Sequence, residues 1–256
     1  MNELALFAGI GGGILGGMLS GFTCVAACEI NPYCRKVLLQ RQRDGVLPKF
    51  PIWDDIRTFD GKQFAGQIDI ITGGFPCQDI SAAGKGAGIT GERSGLWKEM
   101  ARIIGEVRPS FVLAENSHML IHRGLYTVLA DLAAMGYDAR WGIVSAENAG
   151  APHQRKRIWI LAYANNSRQQ GTMRGRYESE MSGSYSSCEI SNALCFDGRL
   201  VQREKDKAHL RCEQWTTEPG LDRVANGTPN RVDRLKAIGN AQVPAVAYMA
   251  YEILRR

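Results

Sequence analysis

Cys77 sits in the stretch GGFPCQDIS, behind a proline and just after an apolar run at residues 68–72. A thiolate there is a candidate nucleophile if a neighbouring helix or base lowers its pKa. The competing reading is a small residue packed in a turn, the commoner fate of a lone cysteine. Glu115 and Asn116 close a second apolar run in FVLAENSHML. Burial would raise the pKa of the acid and let it donate a proton to a ring nitrogen; a helix cap or turn accounts equally for Asn and Ser. Arg155 and Arg157, in APHQRKRIWILA, lie just before a third run, and strand alternation would send both to one face. Their planar forks suit oxyanion or phosphate contacts.

A glycine-rich stretch, LFAGIGGGILGGMLSGF, follows the first apolar run. Gly11, Gly13 and Gly16 satisfy GxGxxG, and Glu29 ends the second run, where a ribose-binding acid belongs. The pattern suits NAD or S-adenosylmethionine alike, and a turn needing glycine's backbone freedom is the plain alternative. Gly84, Gly86, Gly88, Gly91 and Gly95 make the segment after Cys77 a candidate lid or a simple surface loop.

These residues need a scaffold, and the apolar runs supply one. Residues 4–7, 23–28, 68–72, 111–114 and 158–163 read as buried strands, and residues 32–42, 96–106 and 120–135 have helical spacing. Such alternation predicts an α/β fold, a parallel sheet with helices on both faces. Cys77 and Glu115 then fall at the strand ends, where open sheets bind ligands. Residues 165–230 lose periodicity and are rich in Ser, Gly, Arg, Asn and Glu, as an insert or a small lobe would be. A helix over 243–254, with Pro244 in its first turn, brings the C-terminus back to the first domain.

At 256 residues, 45% hydrophobic and 22% charged, the chain has the composition of a globular protein with a real core. No apolar run is long enough to span a bilayer, and a start with an acidic residue and a strand predicts no signal peptide. Seven cysteines without a CxxC pair argue for reduced thiols and a cytoplasmic protein. Cys24, Cys28 and Cys34 read as core residues, while the spacing of Cys188, Cys195, His209 and Cys212 matches no common zinc pattern, so no metal is expected. The net charge of +5 says little, but residues 153–176 hold six Lys/Arg and no acid. That stretch is either a solvated surface or a phosphate-contacting one.

Taken in order, these motifs resemble the DNA (cytosine-5)-methyltransferases, of the bacterial and phage type. LFAGIGG resembles the family's cofactor loop, GGFPCQDIS its Pro-Cys motif, ENS its Glu-Asn motif, RKRIWILA its paired-arginine motif and RLKAIGNAQVP its last motif. DDI resembles the segment whose Asp contacts adenine, with Asp55 the best match. The resemblance covers residues 1–163 and 230–256. It departs at His153, where many members carry Gln, and at Ile30, where some carry an aromatic.

The resemblance implies a Rossmann-like, S-adenosyl-L-methionine-dependent methyltransferase sheet. Residues 1–163 plus 231–256 would form the catalytic domain and 164–230 a small target-recognition lobe. It implies a cofactor site from Phe7, Gly9, Gly11, Glu29, Ile30, Asp55, Ile56, Pro76 and Asn240. Cys77 would be the nucleophile, Glu115 the acid at cytosine N3 and Arg157 the group holding O2, with Arg155 a weaker candidate. Gln78, Ser81, Arg93 and Asn116 would contact substrate. The partner implied is double-stranded DNA, met by a monomer in a bacterial cell or phage-infected host.

A tRNA cytosine-5 methyltransferase of the same fold is the nearest rival. An NAD-dependent thiol enzyme would leave ENS and the paired arginines unexplained. An amino-methyltransferase would need a second proline in NPYC at Asn31. A DNA-binding module with a decayed site would not be expected to keep Cys77, Glu115 and Arg157 together.

Overall fold

The structure, a computed structural model, describes residues 1–76, 96–165 and 229–256. Cys77, Gln78, Ser81, Arg93 and nearly all of the expected recognition lobe lie outside them. The described strands are β1 (Asn2–Leu6), β2 (Thr23–Cys28), β3 (Ile52–Trp53), β4 (Ile70–Gly74), β5 (Phe111–Ser117), β6 (Tyr137–Val144) and β7 (Arg157–Ala164). The described α-helices are α1 (Gly12–Leu19), α2 (Pro32–Arg43), α3 (Leu96–Val107), α4 (Leu120–Arg123), α5 (Leu125–Ala134), α6 (Arg231–Asn240) and α7 (Pro244–Leu254).

The strands form one sheet in the order β3-β2-β1-β4-β5-β7-β6. From β3 to β5 all neighbours are parallel, but β7 runs antiparallel to both β5 and β6. The expected all-parallel sheet is therefore corrected to a mixed one. The reason is the connection between β6 and β7, which holds only a short 3-10 turn, Glu147–Ala149, and no crossover helix. The edge strand β6, YDARWGIV, was not foreseen, because Asp138, Arg140 and Gly142 interrupt its apolar pattern.

Helices cover both faces, as the α/β expectation requires. On one, Trp97, Met100, Ile103 and Ile104 of α3 and Val128 and Leu132 of α5 pack on Leu4, Leu6, Ile71, Val112 and Ile160. On the other, Val246, Ala247, Ala250 and Leu254 of α7 pack on Ile70, Leu113, Trp159 and Leu161. Ile14 of α1 and Leu38 of α2 meet Ala5, Cys24 and Ala27 on that same side. Each fully buried Leu or Ile contributes roughly 1.5–3 kcal/mol. Alternation along β1, β4, β5 and β7 decides which residue faces which layer.

α1 and α6 were not foreseen as helices, one being masked by glycine and the other by polar residues. The single helix expected over 120–135 is two, parted at Gly124. α2 starts where Asn31 caps it, its Oδ1 accepting the N–H groups of Tyr33 at 2.9 Å and Cys34 at 3.3 Å, with Pro32 in the first turn. Cys24, Cys28 and Cys34 are buried core thiols, and desolvation pushes Cys28 up to about 12 and Cys34 up to about 11. No helix among the described residues is long and apolar enough to cross a membrane.

Candidate active site

Because β1, β2, β4 and β5 are parallel, their C-terminal ends meet at one edge of the sheet, bringing together the loop after Leu6, Glu29, the segment at Gly74–Pro76 and Glu115. β7 is reversed, so its first residue, Arg157, arrives at that same edge. The direction of one strand thus decides whether the arginine meets the acid.

The loop after β1 turns through left-handed backbone at Phe7 (φ 53°), Gly9 (φ 55°) and Gly11 (φ 86°). Phe7 adopts this conformation without being glycine, a backbone cost of about 1–3 kcal/mol that the surrounding packing must offset. Glu29 is buried, and its carboxylate accepts the N–H of Gly9 at 2.7 Å and of Asn31 at 2.8 Å. The acid at the end of β2 is thereby fixed against the glycine loop, an arrangement that fits a ribose-bearing cofactor.

The GxGxxG glycines divide by task. Gly11 serves the turn, whereas a Cβ on Gly13 would run into Oε1 of Gln242 and one on Gly16 would lie 2.6 Å from Ala247 Cβ. Gly16 is therefore required by the docking of α7, whereas Gly13 leaves room for the Gln242 amide. Asp55 is held by Arg57, whose Nη2 donates to Oδ2 at 2.7 Å, and this partner keeps its carboxyl below the usual range. Ile56 is buried in the core and its carbonyl accepts from Arg102 at 2.8 Å, so its side chain faces away from solvent. Ile30 is 58% exposed. Asn240 is the last residue of α6.

Glu115 is the chemical centre of the described edge. It is buried on β5, with Arg157 Nε donating to Oε1 at 2.9 Å and Gln242 Nε2 donating to Oε2 at 3.4 Å. Glu115 lies opposite Trp159, so Arg157 is its diagonal neighbour on the adjacent strand. Burial pushes the Glu115 carboxyl above the ordinary carboxylate range, against the opposing pull of Arg157, Gln242 and Arg155. A buried acid whose pKa is raised in this way holds its proton more tightly than a free carboxyl and can donate it to a developing charge.

The expectation that alternation carries Arg155 beside Arg157 is corrected. Arg155 precedes the strand and sits in left-handed backbone (φ 33°). Its guanidinium donates to the carbonyls of Gly239 at 2.8 Å and Ala241 at 2.7 Å, on either side of Asn240. Asn116 is buried and donates through Nδ2 to the Phe75 carbonyl at 3.1 Å, while its Oδ1 accepts from Ser117 N. It therefore braces the chain two residues before Cys77. Phe75 packs against Trp97 at 5.3 Å between ring centroids, and the Trp97 indole donates to Asp131. Nδ1 of His153 is buried without a partner among the described residues.

Two residues at the edge carry no expectation from sequence. A Cβ on Gly74 would lie 2.6 Å from Glu115 Oε2, so a larger residue there would displace the carboxyl from this position. Gln242 approaches both. The signal available for it was its place in AQVP, immediately after the glycine and asparagine of the last motif.

The family model described as C-5 cytosine-specific DNA methylase matches residues 1–213. The Type II methyltransferase M.CviJI of Paramecium bursaria Chlorella virus IL3A is 39% identical over 162 residues, 63% of this chain and 42% of that protein. The Type II methyltransferase M2.BsuMI of Bacillus subtilis (strain 168) is 36% identical over 170 residues, again 63% of this chain and 42% of the relative. The chain thus spans less than half the length of these curated relatives. The S. pombe Dnmt2 methyltransferase structure matches with a TM-score of 0.53 at 22% identity, over 76% of this chain and 54% of that one, a likeness of fold. The order of motifs, the Rossmann-like sheet and the family match lead to one conclusion: this chain belongs to the C-5 cytosine-specific DNA methylase family.

Proposed function

We propose that this chain transfers a methyl group from S-adenosyl-L-methionine to C5 of a cytosine flipped out of double-stranded DNA. The observation that carries the reading is the ion pair of buried Glu115 with half-buried Arg157 at the strand ends, beside the glycine loop and the strand that leads to Cys77. The cofactor supplies an electrophilic methyl group when bound. Phe7, Gly9, Gly11, Glu29, Ile30, Asp55, Ile56, Pro76 and Asn240 are the residues proposed to hold it, with Glu29 toward the ribose.

In this reading the Cys77 thiolate adds to cytosine C6, forming a C–S bond and pushing the ring electrons toward C5. Glu115 gives its proton to N3 as charge develops there, and Arg157 holds O2. After C5 is methylated, loss of the C5 proton to solvent water restores the C5–C6 double bond and expels Cys77 as thiolate, and N3 returns its proton to Glu115. The target carbon is inaccessible inside a duplex, so the base must leave the stack. Gln78, Ser81 and Arg93 are proposed DNA contacts, and residues 164–230 a small recognition lobe of a monomer acting in a bacterial cell or phage-infected host. Arg155 and Asn116 act on the site through the backbone they hold, a reading supported by their hydrogen bonds.

The test is incubation of the purified chain with labelled cofactor and either duplex DNA or tRNA. Label in DNA at C5 of cytosine is expected, and label in tRNA alone would replace this reading with the RNA enzyme of the same fold. Cys77→Ala is expected to abolish transfer while leaving cofactor affinity within about twofold, because the thiol takes part only in chemistry at the base. Full transfer by that variant would remove the covalent route.

A further inference from the structure

Gln242 lies beyond residues 1–213, the span matched by the family model, yet it reaches the centre of the site. It follows α6 by two residues and precedes α7 by two, so its backbone is set by the α6–α7 junction. Arg155 grips that junction through the carbonyls of Gly239 and Ala241. On the other side the Gln242 backbone carbonyl fills the space where a Gly12 Cβ would stand.

Its side chain is wedged just as closely. Oε1 occupies the position of a Gly13 Cβ, and Nε2 lies 2.9 Å from where a Gly74 Cβ would be. That same Nε2 donates to Glu115 Oε2 at 3.4 Å. The hydrogen bond is long, and the amide that makes it packs against glycine backbone on two sides. Arg157 takes the opposite oxygen of the acid at 2.9 Å. Neither oxygen is left to turn freely.

We propose that Gln242 is a positioning residue: with Arg157 it clamps the Glu115 carboxyl in one orientation, and it ties that orientation to the first turn of α1. The proposal rests on the reading of Glu115 as the acid that meets the base. The amide N–H favours the carboxylate form, so its removal must make the acid hold its proton more tightly.

Two variants of the full chain test it. Gln242→Met keeps bulk and removes the donor. Gln242→Glu keeps the shape and places a second carboxyl against the first, which strengthens proton binding further. The Glu115 titration is followed by 13C NMR on carboxyl-labelled glutamate, with Glu115→Gln identifying the resonance. Its midpoint is expected to move to higher pH in both variants. In methyl transfer to DNA, kcat is expected to fall about tenfold with the KM for DNA unchanged, as for a displaced catalytic group. The alkaline limb of kcat should move upward, because the protonated acid persists to higher pH.

A midpoint that stays put in either folded variant overturns the clamp. If the midpoint moves but the unmodified chain methylates no DNA, the clamp stands and the proposed function fails. Should Gln242→Met not fold, Gln242→Glu alone decides the question.

Discussion

At the scale of single residues, Arg155 and Arg157 have separate tasks and separate consequences. Arg157 donates directly to Glu115, whereas Arg155 spends its fork on the carbonyls flanking Asn240. Arg157→Ala is expected to move the Glu115 titration to higher pH, since the largest influence favouring its charged form is gone. Arg155→Lys keeps the positive charge but cannot span two carbonyls, so that titration should hardly move while the fold loses about 1–3 kcal/mol. Carboxyl titration and urea unfolding of both variants check the contrast. The sequence made Glu115 and the two arginines legible as one set, because polar residues at the ends of apolar runs stand out. It could not show that left-handed backbone at Arg155 cancels strand alternation, nor that Asn116, one residue from the acid, turns inward to the Phe75 carbonyl.

At the scale of elements, the contact of α1 with α7 depends on absent side chains. A Cβ on Gly16 would lie 2.6 Å from Ala247 Cβ and 2.7 Å from the Pro244 carbonyl, and that backbone oxygen cannot retreat without moving α7. Overpacking of this kind costs typically 1–3 kcal/mol, enough to outweigh the roughly 1 kcal/mol that alanine gains over glycine within a helix. Gly105, in α3, has only Met135 Sδ at 3.8 Å in its way. Gly16→Ala should therefore lower the unfolding free energy and Gly105→Ala raise it, by up to about 1 kcal/mol in the second case. Opposite shifts in urea midpoint would verify the pair, and two shifts of the same sign would refute it. The same glycines explain why α1 escaped notice, since a glycine-rich run reads as a loop until a partner helix is seen to need it. β3, at two residues, offers too little pattern to find. The long apolar strands and α2, α3 and α7 were legible because burial on a sheet imposes the very periodicity that sequence displays.

For the molecule as a whole, a buried acid links stability to pH. Glu3 is fully buried in β1; Thr72 Oγ1 donates to its Oε1 at 2.6 Å, and Oε2 lacks a hydrogen-bond partner among the described residues. Desolvation raises it from its ordinary 4.5 to about 7, with the Thr72 hydrogen bond opposing. Because the folded pKa is the higher, the folded state binds the proton more tightly than the unfolded chain. Its contribution to stability is full below about 4.5 and is lost as pH rises through about 7. A shift of this size corresponds to about 3 kcal/mol, and Glu115, also raised by burial, adds to the same slope. Unfolding free energy is thus expected to fall between pH 5 and 8, and Glu3→Gln to flatten much of that fall, as urea titrations across the range would read out. A slope unchanged by Glu3→Gln would assign the dependence elsewhere.

The hydrogen bond from Gln242 to Glu115 joins residues 127 apart in the chain. Contacts between such distant positions pay a large loop-closure entropy and form late in folding. During synthesis the glycine loop, β4 and Glu115 all leave the ribosome well before Gln242 is made. The acid is therefore gripped on both oxygens only once α6 and α7 have emerged and docked. Residues translated 127 positions after the acid complete its grip, so a nascent molecule carries its proposed reactive groups before it can align them.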